Sequence, residues 1–377
     1  MSDKLKILLV HDSSSFAFLL KKFFPGQIDA IYFSSHDVIS QVKNPLFFVK
    51  EGIESQINQI KKLAKVYDVF LCYGWPAAAI CYLAKVNYGM VFFDAYIDPE
   101  YRIRKKLSSI KELILQDIYK NALECASFTV AGLPHDAEIL KKYRKDTKII
   151  FQLIDEEMFH PNIKKIDLGQ EKFIFFSPQR IDPDKRQLIM WDAIRLTKSD
   201  FIVLQTDWGK GEYYEKVLST KPDKVKIIPK IKRENMANYL VSVDALLGQI
   251  SKTSVGSTER EAALCNIPVF CYAPDSFSEN DPVYKESLEP KRIAEYIDKM
   301  VLDKDFREKL KKIQNEWVKK TFNNENGIRQ WNKVFQEAIY KKRTYKVRFY
   351  HKIIIKIITF IEKILQKDVS SMARNIT

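Results

Sequence analysis

Short β-rich apolar runs alternate with amphipathic stretches along most of this chain. Lys6 to Val10 reads as a strand, Phe16 to Phe24 as a helix and Ala30 to Phe33 as a strand. A polar amphipathic stretch from about Phe48 to Ala64 leads into a strand at Val69 to Tyr73. Trp75 to Lys85 has helical spacing, Met90 to Phe93 is a strand, Ile110 to Cys125 a helix, Phe128 to Ala131 a strand and Asp136 to Tyr143 a helix. Strands separated by helices build right-handed βαβ units around a parallel sheet.

The alternation stops at Ile154-Asp155-Glu156-Glu157-Met158-Phe159-His160-Pro161 and restarts beyond the polar stretch Asn162 to Gln170. Strands are expected at 173–176, 201–205, 225–228, 244–247 and 268–272. Helices are expected at 184–197, 212–218, 234–241, 258–265, 290–302, 305–320 and 327–341. The predicted organisation is a Rossmann-like domain over 1–161, a linker over 162–170 and a second Rossmann-like domain over 171–320. A helix over 321–342 would return to the first domain, and a basic amphipathic tail over 343–377 would follow. Two open parallel sheets joined by one linker are expected to face a cleft, where small molecules bind.

Composition narrows the picture. At 377 residues the chain exceeds the usual size of a single core. Cys72, Cys81, Cys125, Cys265 and Cys271 lie in apolar runs without C-x-x-C spacing, which suits packed thiols in a reducing compartment better than disulfides or zinc. No small-residue cleavage site follows the short apolar strand near the amino terminus, so no signal peptide is expected. No apolar stretch approaches the roughly 18 residues that cross a bilayer. A cytoplasmic location follows from that reading.

The formal charge of +14 is concentrated at the carboxyl end, where residues 341–377 hold ten Lys or Arg against two acids. From Val347 onward apolar residues recur at Tyr350, Ile353, Ile354, Ile357, Ile358, Ile361, Ile364 and Leu365, while Lys352, Lys356, Lys363 and Lys367 fill much of the remaining surface. This is the pattern of helices that lie flat on anionic membranes, and residues 343–367 are expected to do so. The alternative is a helix docked on its own protein or on a second subunit. Nucleic acid is not an expected partner, since the tail lacks interleaved aromatics in a recognisable fold.

Two strand-to-helix turns carry the candidate chemistry. In the first, Gly256-Ser257-Thr258-Glu259-Arg260-Glu261 opens a helix just after a buried strand, so free amides and the positive helix end would face the crevice where anions bind. Thr258-x-x-Glu261 also reads as a capping box, and a carboxylate at that place can equally accept two ribose hydroxyls. In the second, Gln179-Arg180-Ile181-Asp182-Pro183-Asp184-Lys185-Arg186 follows the strand at 173–176, and Arg180 and Lys185 are placed to meet the same anion. Asp182-Pro183-Asp184 has the look of a metal-binding D-x-D, but Asp followed by Pro is how a helix begins, so a cap is expected and metal is not. His11-Asp12-Ser13-Ser14-Ser15 follows the first strand, and Asp94 stands at an equivalent strand end.

On these residues the chain resembles the retaining glycosyltransferases of family 4, which have the two-domain GT-B fold. The family motif E-x-F-G-x-x-x-x-E is matched by Thr253 to Glu261, with Ala262 and Ile267-Pro268-Val269 continuing it. The turn G-R-L-x-x-x-K-G is matched by Gln179 to Arg186, and V-D-x-x-x-F-x-P by the segment ending at Pro161. The resemblance implies that Arg180 and Lys185 hold the diphosphate of a nucleotide-sugar donor, that Gly256, Ser257 and Thr258 meet the distal phosphate and that Glu261 holds the ribose. Ser13 and Ser14 stand for the family's Gly-Gly loop, Asp94 for its usual histidine and Thr253 for the first glutamate of its motif. It also implies metal-independent sugar transfer with retention to an acceptor hydroxyl, without a cofactor. The tail then points to a glycan or lipid-linked acceptor at a membrane surface. A catalytically silent scaffold of the same fold, binding a nucleotide or a protein partner, is the alternative that Thr253 suggests.

Overall fold

The computed structural model describes residues 4–11, 16–33, 44–48, 52–93, 110–250 (side chains from 116), 255–273, 281–340 and 347–357. Ser13, Ser14, Asp94 and Thr253 therefore lie outside the described residues, as do 343–346 and 358–367 of the predicted membrane segment. The chain forms two compact units, residues 1–153 with 324–377, and residues 154–323.

The first unit holds a seven-stranded parallel sheet. Its strands are β1 (Lys6–Val10), β2 (Gln27–Tyr32), β3 (Leu46–Phe47), β4 (Val69–Tyr73), β5 (Tyr88–Phe92), β6 (Thr129–Ala131) and β7 (Lys148–Ile149), in the order β3-β2-β1-β4-β5-β6-β7. The apolar runs Ile7–Val10, Val69–Tyr73 and Tyr88–Phe92 are buried along their length, because helices cover both faces. One face packs against α2 (Gly52–Leu63), α3 (Gly74–Ala84) and α4 (Ile110–Cys125). The other carries α1 (Phe16–Phe23) and the distant helix α12 (Asn324–Tyr340), whose Trp331 and Phe335 are fully buried beside Phe16. The short helix α5 (Pro134–Lys141) lies between β6 and β7.

The second unit holds a five-stranded parallel sheet of β8 (Phe173–Ser177), β9 (Phe201–Asp207), β10 (Val225–Pro229), β11 (Ala245–Ile250) and β12 (Val269–Tyr272), ordered β10-β9-β8-β11-β12. Its helices are α6 (Gln187–Leu196), α7 (Glu212–Ser219), α8 (Met236–Ser242), α9 (Ser257–Leu264), α10 (Pro290–Leu302) and α11 (Lys304–Thr321). Each sheet starts in the middle, winds outward one way and then jumps back past its first strand. The reversal falls between β1 and β4 in one sheet and between β8 and β11 in the other, and such points open a crevice at the carboxyl ends of the strands.

Most expected elements are present, with ends shifted by a few residues. The strands Leu46–Phe47 and Lys148–Ile149 were not anticipated, since a pair of residues carries no periodicity. The expected helix 184–197 is broken in two: a 3₁₀ turn at Pro183–Lys185 is separated from α6 by Arg186, whose φ of 54° is left-handed. All five cysteines carry thiols rather than disulfides, and four are buried.

Candidate functional site

The turn after β8 is held rigid by glutamines. Gln179 Nε2 donates to the Leu247 carbonyl of β11 at 3.0 Å, and Gln205 Nε2 donates to the Gln179 carbonyl at 3.0 Å. The buried Gln187 donates to the Arg180 carbonyl at 2.8 Å, while the Ile181 amide donates to the Trp208 carbonyl at 2.7 Å. Asp182 caps the following turn as the sequence suggested, its Oδ1 accepting from the Asp184 amide at 3.0 Å with Pro183 at the first position. Its Oδ2 pairs with Arg180 Nη2 at 2.9 Å, and the Arg180 side chain stays about half exposed. One carboxylate is thus engaged by a cap and a cation.

Lys185 reaches across the sheet's reversal point. Its Nζ donates to Oε1 of Gln249, which lies on β11 just before the chain turns toward α9. The first turn of α9 is built differently from the expected capping box. Gly256 is the N-cap and, among the described residues, no side chain caps the helix, so Thr258 is the second helical residue and Glu261 the fifth. Glu261 does not fold back on the helix start because Arg233 takes both of its oxygens, at 2.7 and 2.6 Å. The capping-box reading of Thr258 and Glu261 is therefore corrected.

Glu259, not Glu261, is the carboxylate at the third helical position. Its Oε1 accepts from the Gln249 amide at 2.7 Å. Glycines make room for it: a Cβ on Gly248 would lie 2.7 Å from both Glu259 Cγ and the Phe270 carbonyl, and one on Gly256 would strike the Glu259 carboxylate. Behind them the buried Arg260 lies over the Phe322 ring and donates to the Gly256 carbonyl at 3.3 Å and to Ser257 Oγ at 3.2 Å. Burial pushes the Arg260 guanidinium down to about 10 against the pull of Glu261 and Glu259. Burial also opposes the charge on Arg233, but the adjoining Glu261 carboxylate outweighs it and holds that guanidinium above its ordinary range. Arg233 further lies 4.6 Å over the Phe159 ring.

In the second unit Lys185 is tied to Gln249 and the Gln249 amide to Glu259, which joins the turn after β8 to the first turn of α9, whereas Arg180 pairs with Asp182 and Glu261 with Arg233. Cationic groups beside the uncapped amino end of a helix suit an anion that offers several oxygens. Sequence reasoning missed Arg233, Gln249 and Glu259. A hint for Glu259 was available in Gly248 and Gly256, which bracket the loop, whereas nothing in the run Lys230-Ile231-Lys232-Arg233 singles out its last member. Among the described residues no group of three His, Cys, Asp or Glu is placed to hold a metal ion.

No protein-family model matches the chain, and neither does any curated protein. Solved structures do. HepE from Anabaena, crystallised with UDP-glucose, is similar with a TM-score of 0.67 and 14% identity, over 88% of this chain and 99% of that one. A glycosyltransferase from Rickettsia africae ESF-5 has a TM-score of 0.67 at 17% identity, over 90% of this chain and all of that one. The fold is GT-B. Sucrose-phosphate synthase from Thermosynechococcus elongatus is similar too, with a TM-score of 0.66 and 14% identity over 89% of this chain. At such identities the GT-B likeness speaks for architecture, and residues must carry the rest.

Proposed function

We propose that this chain is a retaining glycosyltransferase that moves a sugar from a nucleoside-diphosphate sugar to an acceptor hydroxyl. One observation carries the proposal: Lys185, from the turn after β8, is laid against Gln249 at the end of β11, beside the uncapped start of α9. Both crevice-forming strands thereby contribute to one anion site, and HepE, whose fold is similar, was crystallised with UDP-glucose. UDP-sugars are the first donors to try, ahead of guanosine and adenosine diphosphate sugars.

In this reading the bond between the anomeric carbon and the diphosphate oxygen breaks as oxocarbenium character grows on the sugar. Lys185, Arg180 and the amides of Gly256, Ser257 and Thr258 stabilise the charge arriving on the leaving diphosphate. Glu261 accepts the ribose hydroxyls, with its carboxylate plane fixed by Arg233. No metal is assigned to the donor site, because the Asp182 carboxylate is already committed to Arg180 and to the Asp184 amide. Asp94 is assigned to the sugar, together with Ser13, Ser14 and Thr253. If Asp94→Asn leaves turnover and donor affinity unchanged, its role is wrong. The acceptor is proposed to be a glycan or lipid-linked glycan at a membrane surface, with the basic tail as the contact.

Purified protein is expected to hydrolyse or transfer from one member of a panel of nucleotide sugars, unaffected by a chelator. The Arg180→Ala/Lys185→Ala double variant should be inactive while still folded. The absence of turnover across the panel, with or without a thermal shift, would leave the silent-scaffold reading that Thr253 suggests.

A further inference from the structure

The start of the basic tail is fixed to the first unit by a clamp around the buried His351. His351, fully buried, places Nε2 2.7 Å from Asp117 Oδ2 of α4, and its Nδ1 lies 3.3 Å from the Tyr82 hydroxyl of α3. Tyr350 donates its hydroxyl proton to Asp117 at 2.6 Å, and Arg348 donates to the Tyr350 hydroxyl at 2.7 Å. Ile355 is buried in the same core as Tyr82, and Val347 packs against it. The self-docked alternative thus holds for one face of residues 349–357, the face continued by Val347.

The remaining faces point to a second contact. Steps of four residues divide the segment into four parallel stripes, one of them Tyr350 and Ile354. Val347, His351 and Ile355 form the docked one. Phe349, Ile353 and Ile357 form another, and they are 77%, 43% and 53% exposed. Arg348, Lys352 and Lys356 form a third, with both lysines exposed. An exposed apolar stripe lying alongside a cationic one matches the boundary between acyl chains and anionic headgroups, where lysine stems lie along apolar surface and their ammonium groups meet phosphate. A polar protein surface offers no such paired demand. Among the described residues no helix is long and apolar enough to cross a membrane.

We propose that Phe349, Ile353 and Ile357, flanked by Lys352 and Lys356, are a built contact surface for an anionic lipid bilayer, presented by the His351–Asp117 clamp. The proposal deepens the membrane part of the functional reading and is independent of the donor site. Flotation of the full chain with phosphatidylcholine vesicles, and with vesicles that also contain phosphatidylglycerol, tests it. Wild-type protein should float with the anionic vesicles only. Phe349→Ser/Ile353→Ser/Ile357→Ser should bind them about 100-fold more weakly, with an unchanged melting temperature and an unchanged thermal shift with UDP. Lys352→Gln/Lys356→Gln should lose roughly fivefold per lysine. A Phe349→Trp reporter should shift to the blue on adding anionic vesicles and should be quenched by brominated lipid. Full flotation of the triple serine variant overturns this surface while leaving membrane binding intact. Failure of wild-type protein to float overturns both, as does a wild-type dimer that becomes monomeric in the triple variant without ever floating.

Discussion

Two helices occupy the same topological position in the two units and are built from opposite materials. α3 follows β4, the strand reached when the first sheet reverses, and α9 follows β11, its counterpart in the second. α3 leaves its strand without a loop through Gly74, whose φ of 77° is left-handed, and then buries Trp75 against Phe92 and Tyr119 and a run of alanines against its neighbours. In α9 the equivalent first turns bury Glu259, Arg260 and Glu261 in succession. Winding a parallel sheet from its middle opens a crevice twice, but only at α9 do the described residues fill its rim with paired charge. Burying charges of this kind costs more than packing alanine and tryptophan, so α9 is where a functional reason for the chemistry is expected.

The contrast can be broken most directly at Lys185. Arg180→Ala/Lys185→Ala should weaken nucleoside-diphosphate binding by about 10²–10⁴-fold, taking each charge-assisted hydrogen bond as about 1.5–3 kcal/mol. Calorimetry with UDP would measure it. A packing change of matching size in the first unit, such as Trp331→Phe, should leave that affinity where it was.

A smaller effect is expected in stability. Glu259→Leu removes the acceptor of the Gln249 amide and a carboxylate near the buried Arg260, and should cost about 1–3 kcal/mol in urea unfolding. Donor affinity should fall with it, since Gln249 also holds Lys185. Unchanged affinity in a folded Glu259→Leu protein would show that the α9 charges are packing, as in α3.

Arg233→Ala sharpens the comparison further. Freed from its fork, Glu261 should lose its preference for ribose, so the ratio of UDP to 2′-deoxy-UDP affinity should fall about tenfold, the value of one ordinary hydrogen bond. The smallest change is Asp182→Ala, which removes a cap worth about 1 kcal/mol and alters donor affinity by less than the Lys185 change.

Much of this architecture was legible in the chain. The apolar strand runs survive as strands because a parallel sheet covered on both faces needs that composition, and Asp182-Pro183 caps its turn as its local chemistry requires. The site was legible only in part. Thr258-x-x-Glu261 has the spacing of a capping box, yet Gly256 takes the cap and Arg233, 28 residues upstream, takes the glutamate. Long-range partners of that kind leave no periodic trace. His351 left no periodic trace either: it stands in a lysine-rich helix, and Asp117 and Tyr82, more than 230 residues away in sequence, hold it buried.

The donor site stands or falls on a diphosphate that bridges Lys185 and the start of α9. A crystal structure with UDP bound would show the bridge or its absence. The expected result is phosphate oxygens within hydrogen-bonding distance of Lys185 Nζ and of the Ser257 or Thr258 amide, with Arg180 turned toward them and the ribose on Glu261. A nucleotide bound elsewhere, with Lys185 still on Gln249 and the α9 amides facing solvent, would contradict it.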